Sequence, residues 1–464
     1  MSYTFDPTIL REYDIRGQIG KNLSEADAYA LGRAFGTFIQ QKPAGGTQHT
    51  VCVGYDGRHS SPVLSENLCK GLKETGVRVI SVGLGPTPML YFSVKHLEAD
   101  AGIMVTGSHN PSDYNGFKMT LNKSPIFGDT IQDIGALSTS GNITTGEGSI
   151  ETFDIEDIYV DRLILDLDLT RDLTIGWDAG NGAAGDILQK LVKKIPGTHH
   201  LIFEDIDGDF PNHHPDPTVD KNLIDLQKLI KDKKCDLGIA FDGDGDRIGV
   251  VDENGTILRC DILMTIYARE VIENMPGAAI IGDVKCSQVM FDEINKMGGK
   301  AVMWKTGHSL IKDKMRELNA PLAGELSGHI FFADKYYGFD DALYCSVRLL
   351  NALSQTEGGL SSLTSHLPTL FNTPELRIEV NEAEKFDLVP RVFESLKAQA
   401  NDNASLDDID GVRVSTPDGW WLLRPSNTQD VLVARVESNS EEGLQRLKNM
   451  AGEEVKKIGY TLVF

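Results

Sequence analysis

At 464 residues the chain is longer than a single hydrophobic core usually organises, so roughly two to four domains are expected. Its 41% hydrophobic and 24% charged residues are ordinary for a globular protein, and no apolar run approaches the roughly 18 residues needed to span a bilayer. A formal net charge of -23 excludes nucleic acid and anionic membrane as natural partners, so any anionic ligand has to meet a local basic cluster. The first six residues carry neither the basic nor the apolar region of a signal peptide. Cys52, Cys69, Cys235, Cys260, Cys286 and Cys345 form no C-x-x-C pair, so buried or incidental thiols in a reducing cytoplasm are expected.

Residues 11–17, Arg-Glu-Tyr-Asp-Ile-Arg-Gly, precede a helix signed by Ser24 with Asp27 three residues on. This capping-box variant leads into Ala28, Leu31, Phe35 and Phe38. A strand over 51–55 runs into Asp56-Gly57-Arg58. Ser61-Pro62 reads as an N-cap with proline at N1, ahead of a stripe of Leu64, Leu68 and Leu72 that ends at Gly76. Strands over 77–82 and 101–105 complete a βαβαβ unit, for which a right-handed parallel sheet covered by helices is the natural architecture.

The small, polar stretch 137–146 reads as a seam, after which the pattern repeats. Strands over 173–177, 201–204 and 236–241 form a second unit, and strands over 278–281, 301–304 and 322–323 a third. In each of the three units the third strand delivers the most polar loop. Beyond the serine-rich residues 361–365 come strands over 375–380, 411–415, 420–423 and 431–436, a helix over 384–400, and a closing helix from Ser440 with Glu441 and Glu442 in its first turn. The expected domains are 1–150, 151–256 and 257–368, all α/β, and a smaller α+β domain over 369–464.

The apolar run 101–105 ends in Thr106-Gly107-Ser108-His109-Asn110-Pro111, which puts a serine hydroxyl at the carboxyl end of a strand, where open α/β sheets place their ligands. Alone, such a Gly-Ser-His turn is only a turn. Lys118, ten residues on, is close enough along a folded-back loop to share the site. Asp242, Asp244 and Asp246 alternate with glycine, so three carboxylates can converge as hard divalent cations require. A calcium loop of EF-hand type is excluded: Arg247 stands where that loop needs glycine, and strands rather than helices flank it. Glu325, Ser327 and His329 on a glycine-hinged loop suit hydrogen bonding to sugar hydroxyls. Arg424-Pro425-Ser426-Asn427-Thr428 brings a guanidinium, two hydroxyls and backbone amides, the ingredients of a phosphate cradle.

Together, and in this order, these four segments resemble the signature loops of the α-D-phosphohexomutase superfamily, and within it the bacterial phosphomannomutase/phosphoglucomutase group; the likeness begins at Tyr13 and runs to near the C-terminus. The resemblance implies an α/β fold: three topologically similar domains with mixed, mainly parallel sheets, plus the smaller C-terminal domain, around a central cleft. It implies that Ser108 is the phosphorylated serine, with Lys118, Arg247 and His329 assisting catalysis. Asp242, Asp244 and Asp246 would hold one Mg²⁺, with the phosphate on Ser108 as a further ligand. Glu325 and Ser327 would grip the sugar, and Arg424, Ser426, Asn427 and Thr428 its non-reacting phosphate. Tyr13, Arg16, Lys285, His308 and His329 would line the rest of the substrate site. Gln429-Asp430 departs from the family pattern, which often has a small or acidic residue and then proline there, and an acid so close to a phosphate loop is unexpected.

The implied reaction passes the phosphoryl group of phospho-Ser108 to a hexose 1- or 6-phosphate through a hexose 1,6-bisphosphate, with Lys118, or as second candidate His329, exchanging the proton. A mobile fourth domain would let the sugar bind in two orientations. The implied setting is cytoplasmic, the chain a monomer or weak homodimer and its partner a small phosphosugar. Mannose and glucose differ only at C2, to which no motif is assigned, so both are expected as substrates. Leu326 stands where glucosamine-phosphate mutases commonly carry glutamine, so amino sugars are expected to be poorer. A serine hydrolase is disfavoured because Thr106 and Asn110 occupy the glycine positions of a G-x-S-x-G elbow; a catalytically inactive phosphosugar-binding protein is the remaining alternative.

Overall fold

A computed structural model describes residues 2–46, 48–122, 124–381, 384–399, 404–427 and 429–464, in four sheets. The first runs, in spatial order, Ile15–Gln18, Tyr114–Leu121, Ala101–Val105, Thr50–Tyr55, Arg78–Leu84, Ser149–Thr152, with Ser124–Pro125 paired to Tyr114–Leu121. The second runs Ile257–Leu258, Ile248–Asp252, Leu237–Phe241, Thr174–Asp178, Thr198–Ile202, and the third Lys300–Trp304, Ala279–Asp283, Leu322–Gly324, Ile330–Phe332. Strands Ala101–Val105 and Leu237–Phe241 are buried along their whole length, as unbroken apolar runs must be when helices cover both faces of a sheet.

One device recurs in all three. A strand parallel to its inner neighbour carries the chain to the site, and an antiparallel strand takes it back. Ala101–Val105 pairs parallel with Thr50–Tyr55 and antiparallel with Tyr114–Leu121. Leu237–Phe241 does the same between Thr174–Asp178 and Ile248–Asp252, and Leu322–Gly324 between Ala279–Asp283 and Ile330–Phe332. The three polar loops are thus hairpin ends at one topological position. In the fourth sheet every pairing is antiparallel, and residues 426–430 again join two paired strands, Gly419–Pro425 and Val431–Ser438.

One hydrophobic core spans the first three units, from Cys52, Met89 and Phe92 through Trp177 and Phe241 to Tyr267, Phe332 and Leu349, and each unit adds a smaller one of its own, the first around Phe35 and Val53, the second around Leu226 and the third around Ile311. The fourth unit has its own core around Val412, Trp421, Leu432 and Val455. Its seam with the third is a small apolar patch of Val284, Trp420 and Leu422, flanked by buried charge. There Arg413 donates to the carbonyls of Val284 and Cys286, and Arg435 to that of Lys285.

Most strands lie within a residue or two of their expected positions, with four instructive differences. Lys118 is not on a loop but within strand Tyr114–Leu121, opposite Met104, because Asn115 to Thr120 form a buried run that pairs with Ala101–Val105. Ser61 does not cap its helix: Ser60 holds that position, and the Ser61 hydroxyl turns inward to Asp56. Residues 137–140 are the last turn of helix Asp129–Ser140, and the seam opens only at Gly141, where φ is 72°. The strand expected over 201–204 is Thr198–Ile202. All six cysteines are buried free thiols, and no helix among the described residues is long and apolar enough to cross a membrane.

Helices Glu25–Gln40 and Ser61–Lys73 touch backbone to backbone where Gly32 meets Gly71; a Cβ on Gly32 would sit 2.3 Å from the Leu68 carbonyl oxygen. Gly32→Ala should therefore push apart two helices that back the first sheet, at a cost of about 1–3 kcal/mol. A thermal-unfolding midpoint equal to that of the native protein would show that the helix pair absorbs the methyl.

Candidate active site

Ser108 is buried in the left-handed region, at φ 50°. A non-glycine residue is held there only when its surroundings enforce it. Enforcement comes from Asp56 and Arg58, whose role the sequence did not announce. The fully buried Arg58 guanidinium donates to four backbone carbonyls of the loop: Ser108 at 2.7 Å, Asn110 at 2.6 Å, Tyr114 at 3.0 Å and Pro111 at 2.5 Å. Asp56 ties it down at 3.1 Å and also accepts from the Thr106 hydroxyl at 2.8 Å and the Gly107 amide at 3.1 Å. The only signal was a polar Asp-Gly-Arg directly after a strand.

The metal-loop candidate meets this loop head-on. A Cβ on Gly243 would lie 2.4 Å from the Ser108 carbonyl oxygen, so glycine between the aspartates is what lets the loops touch. The Ser108 hydroxyl stands 3.2 Å from Asp242 Oδ2 and 3.2 Å from His109 Nδ1. Asp242, Asp244 and Asp246 are buried together and present oxygens within 4.8 Å of one another. Their oxygens divide into two sets. Asp244 Oδ2 accepts from Lys118 Nζ at 2.7 Å, Thr87 at 2.5 Å and Thr106 at 3.2 Å; Asp246 Oδ2 accepts from Lys118; and Asp242 Oδ1 accepts from the amides of Asp246 and Arg247. Asp244 Oδ1 and Asp246 Oδ1 are buried without a hydrogen-bond partner. Those two oxygens, with Asp242 Oδ2 and the serine oxygen, form a hard-oxygen set that fits a divalent cation.

Electrostatics points the same way. Burial works against charge on Asp244, but Lys118 overrides it and holds the carboxyl far below its ordinary range. Asp242, not bonded to Lys118, is driven well above that range by burial and by its two acidic neighbours. Lys118, with Arg247 4.0 Å from Asp242 Oδ2, is thus too little for three carboxylates at this spacing.

On the third unit, the Glu325 carboxylate accepts from the Gly307 amide and, at 3.0 Å, from the Ser327 hydroxyl. The Leu326 side chain packs against the core, leaving Glu325 and Ser327 as the polar face of the loop. His329 accepts at Nε2 from Arg247 Nε, 3.0 Å away, and stacks on His308 with ring centres 5.6 Å apart. Arg16, on the first strand, donates to Asn110 at 2.9 Å and pairs with Asp14.

Where the fourth unit closes on the cleft, Tyr13 donates to the Thr306 carbonyl at 3.0 Å and receives the Asn427 amide. Arg424 is held by Asp410 at 2.9 Å, and Asp410 also accepts from the Thr306 amide at 2.9 Å. Ser426 Oγ accepts from the Gln429 amide; Thr428 lies outside the described residues. The unexpected Asp430 carboxylate is 68% exposed and lies 3.8 Å from Lys385, clear of Arg424's partner Asp410. Lys285 bridges Asp283 at 3.7 Å and Glu375 at 3.1 Å.

Three interdomain seams thus bring together a buried serine beside a carboxylate triad, a polar loop able to hold a polyol, and an arginine loop able to hold a second anion, which are the parts that phosphoryl transfer to a phosphorylated sugar requires. The profiles described as phosphoglucomutase/phosphomannomutase alpha/beta/alpha domains I, II and III match residues 7–142, 157–255 and 259–371, and that of the C-terminal domain matches 375–453. The chain is 44% identical to the phosphomannomutase/phosphoglucomutase of Pseudomonas putida, over 96% of this chain and 94% of that one. It is 40% identical to the phosphoglucomutase of Neisseria gonorrhoeae, over 95% of each. The crystal structure of a phosphoglucomutase/phosphomannomutase family protein from Burkholderia thailandensis superposes with a TM-score of 0.92 at 42% identity, covering 99% of this chain and 100% of that one. The chain belongs to the phosphoglucomutase/phosphomannomutase family.

Lys285 above all, with burial opposing it, holds the Glu375 carboxyl down to about 2 from an ordinary 4.5. A depressed carboxyl contributes stability that is complete above its unfolded value and is lost as pH falls through the folded one. The thermal advantage of the native protein over Glu375→Gln should therefore be constant above about pH 5 and shrink as pH falls from about 4.5 toward 3. A gap that stays level or widens there would mean the pair across the third and fourth units does not stabilise the closed cleft.

Proposed function

We propose that this chain is a phosphohexomutase that interconverts the 1- and 6-phosphates of mannose and glucose, with Ser108 as the phosphoryl carrier and a hexose 1,6-bisphosphate as intermediate. The observation that carries this reading is the Ser108 hydroxyl 3.2 Å from Asp242, next to two partnerless buried oxygens of Asp244 and Asp246. Membership of the family supports a hexose phosphate mutase; the site geometry supports these particular roles.

In the forward half-reaction the bond between Ser108 Oγ and phosphorus breaks and a bond from phosphorus to a sugar hydroxyl oxygen forms. The sugar proton leaves to a base on the protein. Asp242, Asp244 and Asp246 would hold Mg²⁺ through the oxygens Lys118 leaves open, and the cation supplies charge neutralisation on the transferring phosphoryl oxygens. Lys118 is pinned between Asp244 and Asp246; burial opposes its charge, yet the two carboxylates raise it well above the usual lysine range. That suits it to stabilising charge rather than accepting a proton. We assign the proton exchange to His329; its Nε2 accepts from Arg247 Nε at 3.0 Å, a contact that has to give way before the sugar proton reaches that nitrogen. Glu325 and Ser327 orient the sugar, and Arg424, Ser426, Asn427 and Thr428 hold the phosphate that does not react. After transfer the bisphosphate turns over and returns its other phosphate to Ser108.

Ser108→Ala should lower turnover by more than about 10⁴-fold, and intact-protein mass should show one phosphate on the native enzyme and none on the variant. Full activity of the variant would refute the scheme, leaving a phosphosugar-binding protein. Asp244→Asn should reduce kcat by roughly 10²- to 10³-fold while KM changes by less than about fivefold, because the triad meets the transferring group and not the rest of the sugar. Equal losses in both would make the aspartates structural.

Glu325 and Ser327 are assigned to the 3- and 4-hydroxyls of the sugar, where mannose and glucose are identical, since the two differ only at C2. Mannose 1-phosphate and glucose 1-phosphate, each assayed with a trace of bisphosphate, should give kcat/KM within about tenfold of each other, and glucosamine 1-phosphate a lower value. A preference above about a hundredfold for either neutral hexose would show that another residue reads C2.

A further inference from the structure

Asp410 belongs to none of the four loops, yet strand register joins it to one of them. Strand Val412–Thr416 pairs antiparallel with Gly419–Pro425, Val412 opposite Leu423, so the residues just ahead of Val412 lie beside Arg424. Gly411 makes that approach close: its φ is 90°, and a Cβ there would sit 2.4 Å from the Leu423 carbonyl oxygen and 2.6 Å from Arg424 Cβ. The turn is pinned twice more. Asp407 Oδ1 accepts the Ile409 amide at 2.8 Å, and the Ile409 side chain packs on the apolar seam of Val284, Trp420 and Leu422. Asp410 is thereby delivered to one edge of the buried Arg424 guanidinium: Oδ2 accepts from Nε at 2.9 Å and Oδ1 from Nη2 at 3.3 Å. Oδ2 also accepts the Thr306 amide of the third unit at 2.9 Å.

A guanidinium is a rigid fork with two usable edges, one formed by Nε and Nη2 and the other by Nη1 and the second Nη2 proton. We propose that Asp410 is a positioning residue for the phosphate that does not react: by occupying the Nε edge of Arg424 it presents the Nη1–Nη2 edge to the cleft, where a phosphate receives two hydrogen bonds at once. Among the described residues nothing accepts from Nη1. Asp410 and Arg424 both belong to the fourth unit, so the fork keeps its direction whether or not that unit is closed on the third. The Thr306 amide reinforces it on closure. The carboxylate does cancel part of the pull of Arg424 on an anion, but a long side chain ordered in advance gives up less freedom when the phosphate arrives, and at this arginine that gain is the larger. The proposal rests on the reading of Arg424 as a phosphate ligand, and the test separates the two.

Steady-state kinetics on glucose 1-phosphate primed with bisphosphate would compare Asp410→Asn, Asp410→Glu, Arg424→Ala and Asp410→Asn/Arg424→Ala. Asp410→Asn should raise KM by roughly tenfold and leave kcat within about threefold of native, because a phosphate held alike in ground and transition states is felt in KM. A KM that falls would overturn the proposal, since Asp410 would then be a competitor of the phosphate. Added to Arg424→Ala, Asp410→Asn should cost no more than about a further twofold in kcat/KM, because its effect passes through the missing guanidinium. Losses that multiply in the double variant would make Asp410 a support of the fourth unit's fold, and the positioning role would be refuted. If Arg424→Ala alone keeps a native KM, the phosphate assignment fails first and the proposal with it.

Asp410→Asn leaves a buried guanidinium without its counter-charge and could fail to fold. Asp410→Glu keeps the charge and displaces it by one methylene, so it should melt close to the native protein and still raise KM by about threefold or more. A native KM in Asp410→Glu would show that only the charge of Asp410 matters and not the edge it occupies, which also refutes the positioning role.

Discussion

The site depends on one electrostatic constraint: three carboxylates confined within 4.8 Å of one another, in a place from which water is largely excluded. Like charges so close cannot all remain ionised without positive charge brought to them. The second unit, which carries the aspartates, contributes Arg247, 4.0 Å from Asp242. The ammonium in direct contact, Lys118, comes from the first unit, as do the hydroxyls of Thr87 and Thr106 on Asp244. The triad is therefore stable only where the two units are docked. It is matched by a core that spans the three units beside the smaller cores each keeps for itself. Removing one partner of such a buried network would leave an uncompensated charge, which is far more destabilising than the net value of the pair.

The fourth unit obeys another rule. Its core is separate, and its main attachment is made by Arg413 and Arg435 reaching backbone carbonyls of Val284, Lys285 and Cys286, with the Arg413 guanidinium 3.7 Å from the Trp420 ring centre. Directional polar contacts hold a hinge at a defined angle without the large apolar area that would make separation expensive. On the cleft side, Tyr13, Thr306 and Asn427 link the first, third and fourth units, and Asp410 with the Thr306 amide and Lys285 with Glu375 add polar contacts between the third and the fourth. In the cycle proposed above, exchangeable contacts of this kind are the ones to break and re-form, while the core that carries Ser108 and the triad stays in place.

Much of this was legible in the sequence because hairpins have strong local signatures. Unbroken apolar runs at 101–105 and 237–241, each ending in glycine and polar residues, gave both the strands and the loops they deliver. The sequence brings Lys118 to the site but does not mark its strand, since Lys118 and Thr120 interrupt the apolar pattern of Phe117 and Met119. The polar side chains of that strand face a buried ionic site, where alternation no longer reports solvent. Ser61 was taken for a cap because Ser-Pro is the usual signature, yet its hydroxyl supports Asp56. Asp56 and Arg58 were illegible as functional residues because they act on a hydroxyl and backbone carbonyls about 50 positions along the chain, and a charged residue just after a strand carries no spacing that marks it.

The acidic bulk of the protein makes the cleft's cations conspicuous, yet few of them stand alone. Arg16 pairs with Asp14, Lys118 with Asp244 and Asp246, Lys285 with Glu375, and Arg424 with Asp410. An arginine awaiting phosphate with no internal partner would be a desolvated lone charge, costly in the protein alone and tight-binding once the anion arrived. Internal carboxylates reduce both effects. Each phosphate that binds must share or displace an aspartate or glutamate already in place, so part of the attraction is cancelled in advance. If the intermediate is the bisphosphate proposed above, gripped at one end, released and gripped at the other, such exchangeable pairs suit it better than a uniformly positive pocket, which would hold it too tightly to let it turn.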